Sequence, residues 1–352
     1  MNITKRISDF TDLGRGLQDF ITLEDCTFII QIIDKYKIEE IEKALDSTYQ
    51  YNPWFTPENI RKALSGLAFM LSKEKLLSWI KRYPDINFDP NNPKKIGIVM
   101  AGNIPLVGFH DLLTVLISGN HAIIKLSSSD NRLWPHLFDI LYSINPEYRN
   151  RITVVDDKLK GFDAVIATGS NNTARYFDYY FGKYPHIIRK NRNGVAVING
   201  EESPEELKGL AVDIFSFFGL GCRNVSKIYI PEKYDLDLIF KQLYDYNPII
   251  NHHKYANNFD YNRTVMMLNQ DDILENGFVI FKNTKEIASP LACVFYERYS
   301  DPDKLKIELD LRSEEIQCIV SSNDIPFGQS QSPELWDYAD GVDTLAFLGG
   351  LE

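Results

Sequence analysis

The sequence predicts an α/β protein: a doubly wound parallel sheet preceded by helices and followed by a smaller α/β domain. Three observations carry this expectation. Short apolar runs of strand length recur between residues 96 and 167, stretches of helical apolar spacing separate them, and turn-forming residues punctuate the alternation.

Taken in order, the chain up to about Tyr83 is helical in pattern. Phe28-Ile29-Ile30-Gln31-Ile32-Ile33 and Leu64-Ser65-Gly66-Leu67-Ala68-Phe69-Met70-Leu71 repeat apolar residues at helical spacing. Thr56-Pro57-Glu58-Asn59 reads as an N-cap, a proline at the first helical position and an acid in the first turn. Residues 87–93 are a Pro/Asn/Asp linker. Residues 96–100 then read as a buried strand, 112–117 as a helix broken by Gly119-Asn120, and 122–126 as the next strand. Residues 134–142 read as helix, 152–155 and 164–167 as strands. A second region, from about Pro204 to Gln317, carries strand patterns at 225–231 and 291–296. In Tyr51-Asn52-Pro53-Trp54-Phe55, the aromatic pair is expected to anchor the core.

The formal net charge of −11 over 352 residues gives no general attraction for nucleic acid or anionic membranes. Lys183, Arg189, Lys190 and Arg192 form a local basic candidate for a phosphate-bearing ligand; Lys94-Lys95 reads as solvated surface. Cys26, Cys222, Cys293 and Cys318 are far apart with no Cys-x-x-Cys pair, which speaks against a zinc site or a disulfide framework. No metal is expected. The N-terminus lacks an apolar leader and no run of about 20 apolar residues occurs, so a soluble, cytoplasmic protein is expected.

Four short segments carry candidate chemistry. In Phe217-Phe218-Gly219-Leu220-Gly221-Cys222-Arg223-Asn224, a thiol sits on a glycine-flexed loop before a strand, where a thiolate could attack and leave a thioester or aldehyde. In Gly102-Asn103-Ile104-Pro105, a side-chain amide follows a strand and could donate to an oxyanion; an Asx turn is the bland alternative. Lys125-Leu126-Ser127-Ser128-Ser129-Asp130 places a lysine late in a strand, then residues suited to a helix cap and to phosphate. Thr168-Gly169-Ser170 is a glycine turn between strand and helix. Asn103, Lys125 and Thr168 all fall at carboxyl ends of strands, where open parallel sheets bind ligands.

In chain order, Asn103-Ile104-Pro105, then Gly119-Asn120 to Lys125, then Thr168-Gly169-Ser170, then Gly221-Cys222, the segments resemble the aldehyde dehydrogenase superfamily, over roughly residues 94–300. The resemblance implies that Cys222 is the nucleophile and that Asn103 helps form the oxyanion hole. It implies that Lys125, Ser127, Ser128, Thr168, Gly169 and Ser170 lie on the cofactor. Glu286-Ile287-Ala288-Ser289-Pro290-Leu291 is similar to the family's E-I-F-G-P-V segment, whose glutamate contacts the nicotinamide ribose. Within the superfamily, the chain is most similar to LuxC-like acyl-CoA reductases, a likeness that extends to Phe327-Gly328-Gln329-Ser330-Gln331-Ser332-Pro333 and to Trp336-Asp337-Tyr338-Ala339-Asp340-Gly341-Val342-Asp343. The implied domains are 1–203 (helical region and dinucleotide-binding domain), 204–320 (catalytic domain) and 321–352, a tail packing back on the cofactor domain.

Two departures refine the implied chemistry. Hydrolytic relatives carry a glutamate in an E-L-G-G-K segment, but Lys190-Asn191-Arg192-Asn193-Gly194-Val195-Ala196 has no carboxylate to activate water. The family's ribose-binding glutamate corresponds to Ser128, which would not repel a 2′-phosphate. The implied reaction is reduction of an acyl-CoA or other acyl thioester to an aldehyde through an S-acyl cysteine. NADPH is the expected cofactor, NADH its alternative, and a dimer or larger the expected assembly. A helix dipole, Arg223 or, in the reverse direction, the cofactor's positive ring would help the thiolate form. The competing reading is a cysteine acyltransferase or thioesterase using His110, His121, His252 or His253 without nicotinamide; a third is a catalytically silent member of the fold.

Overall fold

The computed structural model describes residues 1–22 and 27–351, so Cys26 lies outside it. The chain divides into two compact units, residues 1–190 with 334–352, and residues 191–333.

The first unit opens with helices α1 (Ile3–Thr22), α2 (Lys35–Ser47), α3 (Pro57–Met70) and α4 (Lys73–Ile80). The cap expected at Thr56 is present: its side chain accepts from the Asn59 N–H, with Pro57 and Glu58 in the first turn. Residues 28–33 depart from the expected helix and form only a 3-10 turn at Ile29–Gln31. Asp19 accepts the Phe28 and Ile29 N–H groups at 2.9 and 2.7 Å, and Asp34 caps α2. The apolar run is therefore fixed at both ends by acidic caps and has no length left for a helix. Phe55 is buried and Trp54 packs on the same core, as an anchor should.

Alternation follows: β1 (Lys95–Val99), α5 (Phe109–Ile117), β2 (His121–Lys125), α6 (Trp134–Ile144), β3 (Ile152–Val154), β4 (Ala164–Thr168), α7 (Asn171–Phe181) and β5 (His186–Arg189). The sheet is parallel, in the order β3-β2-β1-β4-β5. The winding reverses between β1 and β4, which puts a topological switch point between their carboxyl ends. Ile96, Ile98, Ile124 and Ile166 bury the sheet against Leu113, Leu116, Trp134 and Phe138. Gly119, at φ +85°, releases the chain from α5 into β2.

The second unit comprises β6 (Asn193–Val197), α8 (Pro204–Phe215), β7 (Val225–Pro231), α9 (Asp237–Leu243), α10 (His253–Leu268), β8 (Ile273–Glu275), β9 (Ile280–Asn283), β10 (Cys293–Tyr299), α11 (Pro302–Leu311) and β11 (Ile316–Val320). Its sheet runs β11-β6-β7-β10-β9-β8, parallel except for β8 against β9. The boundary expected after residue 203 falls instead after Lys190, because β6 pairs with β11 and β7 and so hydrogen-bonds into the second sheet. The tail also divides: residues up to Pro333 stay with the second unit, and 334–352, with α12 (Thr344–Gly349), belong to the first. There the Tyr338 hydroxyl lies 2.7 Å from both Trp79 Nε1 and Tyr83 Oη. Among the described residues, no helix is long and apolar enough to cross a membrane.

Candidate active site

Cys222 is exposed, whereas Cys293 and Cys318 are buried, and none of the three is in a disulfide. Burial pushes the Cys293 thiol up to about 12, which keeps it protonated and inert. The turn that carries Cys222 is rigidly built. Phe217, Phe218 and Gly219 have successive φ values of +52°, +59° and +79°, a left-handed stretch that two aromatic residues adopt only under constraint.

That constraint comes from Asn224, which sequence reasoning missed. Its buried amide donates to the carbonyls of Asp213, Ile214 and Ser216 at 2.9, 3.3 and 3.0 Å. Its Oδ1 accepts the Gly221 N–H at 2.8 Å. One side chain thus holds the end of α8 and the residue before the thiol together. Asp213, fully buried, accepts the Gly328 and Ser330 N–H groups at 2.6 and 2.9 Å, which braces the turn from the 327–333 segment. Arg223 turns its Nε–H to the Ser330 carbonyl at 2.6 Å, so its hydrogen bonding is directed to the brace. The helix leading into the turn, α8, presents its carboxyl end, which disfavours an anion; it does not supply the expected dipole.

A cavity of about 220 Å³ adjoins the turn. Asn193, Val225, Val279 and Cys293 place it at the amino ends of β6, β7, β9 and β10, with Phe218, Leu220, Tyr255 and Leu291 in its wall. The segment from 284 to 292 crosses from β9 to β10 and contributes Ser289 and Pro290 to this cavity. Glu286 is exposed on it. Ser226 Oγ donates to the Ile287 carbonyl at 2.8 Å and the buried Lys227 to the Thr284 carbonyl, so β7 secures the crossover directly after the cysteine turn.

In the first unit, Asn103 is exposed in the loop that follows β1. Below it, Leu106 takes φ +56° and its N–H donates to Asp130 Oδ2 at 2.8 Å; Trp134 Nε1 donates to the same oxygen at 3.2 Å. Asp130 is buried, its other oxygen has no partner among the described residues, and burial raises its carboxyl to about 7. A Cβ on Gly102 would lie 2.4 Å from Ser127 Oγ, so this loop rests on the 127–130 turn only because glycine is there. Ser127 Oγ also accepts the Ser129 N–H at 3.3 Å, and this use inside the turn sets it apart from Ser128, which is exposed. Lys125, at the carboxyl end of β2, donates to the Asp157 carbonyl at 3.1 Å.

Thr168 and Gly169 lead from β4 into Ser170, which caps α7 by accepting the Thr173 N–H at 3.3 Å. A Cβ on Gly169 would meet Phe177 at 2.9 Å. The donor set here is backbone N–H groups at a helix start, hydroxyls and one ammonium, which suits the pyrophosphate and ribose of a dinucleotide.

Other sequence candidates resolve differently. Arg189 is buried, binding Asp111 through both carboxylate oxygens at 2.7 and 2.6 Å and Thr344 at 2.9 Å. Arg192 donates to the Ser313 carbonyl at 3.0 Å. Of the expected basic cluster, Arg189 is therefore spent inside the fold and Arg192 on a neighbouring carbonyl, while Lys183 and Lys190 are exposed. His110 packs on Trp79 and Tyr338, with Nε2 2.9 Å from the Leu335 carbonyl, and burial lowers its pKa. His121 opens β2, and burial lowers its pKa too. His252 caps α10 through Nδ1 and packs against Phe218 with ring centroids 4.3 Å apart, while His253 is exposed. His110 and His121 lie in the first unit and serve the fold there; His252 is engaged as a cap.

Comparison with known proteins completes the description. Residues 26–241 match the model of the family described as acyl-CoA reductase (LuxC). A long-chain acyl-protein thioester reductase of Aliivibrio fischeri is 24% identical over 216 residues, which cover 55% of this chain and 44% of that protein. The chain thus spans less than half of that relative's length. Three solved structures share the fold. Aldehyde dehydrogenase 21 from Physcomitrella patens, in complex with succinate, has a TM-score of 0.63 at 14% identity, covering 88% of this chain and 71% of that one. An NAD-dependent aldehyde dehydrogenase from Sinorhizobium meliloti has 0.60 at 13%, covering 94% and 72%. Glyceraldehyde-3-phosphate dehydrogenase GapN from Methanocaldococcus jannaschii, complexed with NADP, has 0.58 at 11%, covering 92% and 77%. The fold is that of the aldehyde dehydrogenases.

Proposed function

Because the chain belongs to the LuxC family of acyl-CoA reductases, we propose that it reduces a fatty acyl thioester, an acyl-CoA or an acyl-protein, to the aldehyde through Cys222. The observation that carries this reading is the exposed thiol on a turn fixed by Asn224, in a chain of this family.

The Cys222 thiolate attacks the thioester carbonyl and forms the new C–S bond. Asn103, carried over from the family's pattern, would donate its amide N–H to the oxyanion; such a donor lowers the barrier by about 3–4 kcal/mol. Collapse expels the donor thiolate and leaves an S-acyl cysteine. A bound reduced nicotinamide supplies the hydride that this acyl carbon needs. Collapse of the resulting tetrahedral oxyanion would break the C–S bond, release the aldehyde and restore the Cys222 thiolate, while the donor thiolate expelled earlier takes its proton from water. The lack of a carboxylate in residues 190–196 protects the acyl cysteine from water, since no base is at hand there.

Thr168, Gly169 and Ser170 at the start of α7, with Lys125 and Ser128, would hold the dinucleotide, and Glu286 its nicotinamide ribose. Ser128 in place of an acid favours NADPH over NADH, because no carboxylate opposes the 2′-phosphate. The test is Cys222→Ala with a panel of acyl-CoAs and NADPH, read as loss of absorbance at 340 nm. Oxidation that persists at the wild-type rate rejects the covalent route.

A further inference from the structure

Lys227 is a charge in a place that charges avoid. It is fully buried in β7, its Nζ donates to the Thr284 carbonyl, and Glu297 on β10 accepts at 2.9 Å. It also lies over the Tyr229 ring, 5.0 Å from the centroid. Desolvating an ammonium is costly, and an apolar residue would fill the same space with less penalty. Burial accordingly lowers its pKa.

What the charge achieves is local. β7 has a register shift here: Gly194 pairs with Val225 and Val195 with Lys227, leaving Ser226 as the extra residue. The consecutive side chains of Ser226 and Lys227 both reach the crossover after β9, at the Ile287 and Thr284 carbonyls. Between those two anchors lies Glu286, whose N–H donates to Thr284 Oγ1 at 3.3 Å. The exposed carboxylate thus stands on a span of backbone pinned at both ends.

We propose that Lys227, held by Glu297, is a positioning residue that sets Glu286 for the nicotinamide ribose of the cofactor. The inference rests on the reading of Glu286 under Proposed function. Lys227 touches neither substrate nor cofactor; it acts through the backbone at Thr284.

The test uses the paired variant Lys227→Met, Glu297→Gln, which leaves no buried charge alone. NADPH affinity is read by fluorescence titration, and acylation of Cys222 by release of CoA thiol from an acyl-CoA without cofactor. The expected result is NADPH binding weakened about tenfold, the size of coupling seen within one hydrogen-bond network, with acylation at the wild-type level. Lys227→Arg, which keeps the charge, should bind NADPH close to wild type. Adding Glu286→Ala to the paired variant should weaken NADPH binding no further. An unchanged NADPH Kd in the paired variant, or a further full loss on adding Glu286→Ala, overturns the inference while leaving the proposed function intact. A wild-type protein that binds neither nicotinamide cofactor rejects both.

Discussion

The two sheets offer their candidate functional residues at opposite ends. In the first unit, Asn103, Lys125 and Thr168 stand at or just beyond the carboxyl ends of β1, β2 and β4. In the second, Cys222 comes just before the amino end of β7, in a turn whose Phe218 to Gly221 line a cavity at the amino ends of four strands. The first arrangement follows from winding: the strand order reverses between β1 and β4, and α7 starts directly after β4. The second owes little to winding. It needs a left-handed run through Phe217 and Phe218, held by one buried amide and one buried carboxylate. Residues at strand ends can be inherited from topology; an exposed thiol on a left-handed turn has to be built by side chains.

The contrast can be broken or sharpened by substitution. Cys222→Ala should lower the rate of NADPH oxidation by at least about 1,000-fold, the scale on which removing a nucleophile acts. Asn103→Ala should lower kcat by about 100- to 1,000-fold with KM little changed, because an oxyanion donor acts on the transition state. Asn224→Ala removes the buried amide that four backbone groups share, and should cost about 1–3 kcal/mol of stability in thermal unfolding. If Asn224→Ala keeps wild-type stability and acylation rate, the turn is not built as described.

Asp130 gives an effect that shows only as a pH dependence, and one that belongs to the first unit. Its folded-state carboxyl lies at about 7, above the ordinary value of 3.8. The protein therefore gains stability from this group at a pH below about 4 and loses it as the pH rises through about 7, since ionising the buried acid opposes folding. Asp130→Asn should flatten this part of the stability profile, measured by urea unfolding between pH 4 and 8. An unchanged slope would show that Asp130 is ionised at no cost.

Much of the first unit was legible because its signals are local. The apolar runs at 96–100 and 164–167 became β1 and β4, and Thr56-Pro57-Glu58 became a real cap, since strand burial and capping depend on neighbours in sequence. Arg189 was misread as a phosphate ligand because its partner, Asp111, is 78 residues away and only the fold brings them together. The exposure of Cys222 followed from its flanking glycines, but the role of Asn224 did not, since it needs carbonyls from the end of α8. β8 and β9 have three and four residues, too few for alternation to declare itself. The boundary after Lys190 was missed because β6 belongs to the second sheet by pairing, with no change of composition to mark it.

The acyl cysteine can be trapped and weighed. The protein is mixed with an acyl-CoA in the absence of any nicotinamide cofactor, quenched in acid, digested and weighed by mass spectrometry. The account predicts one acyl group on the peptide that contains Cys222, removed on adding NADPH with release of the aldehyde. An unmodified Cys222, or an acyl group carried by Cys293 or Cys318 instead, would contradict it.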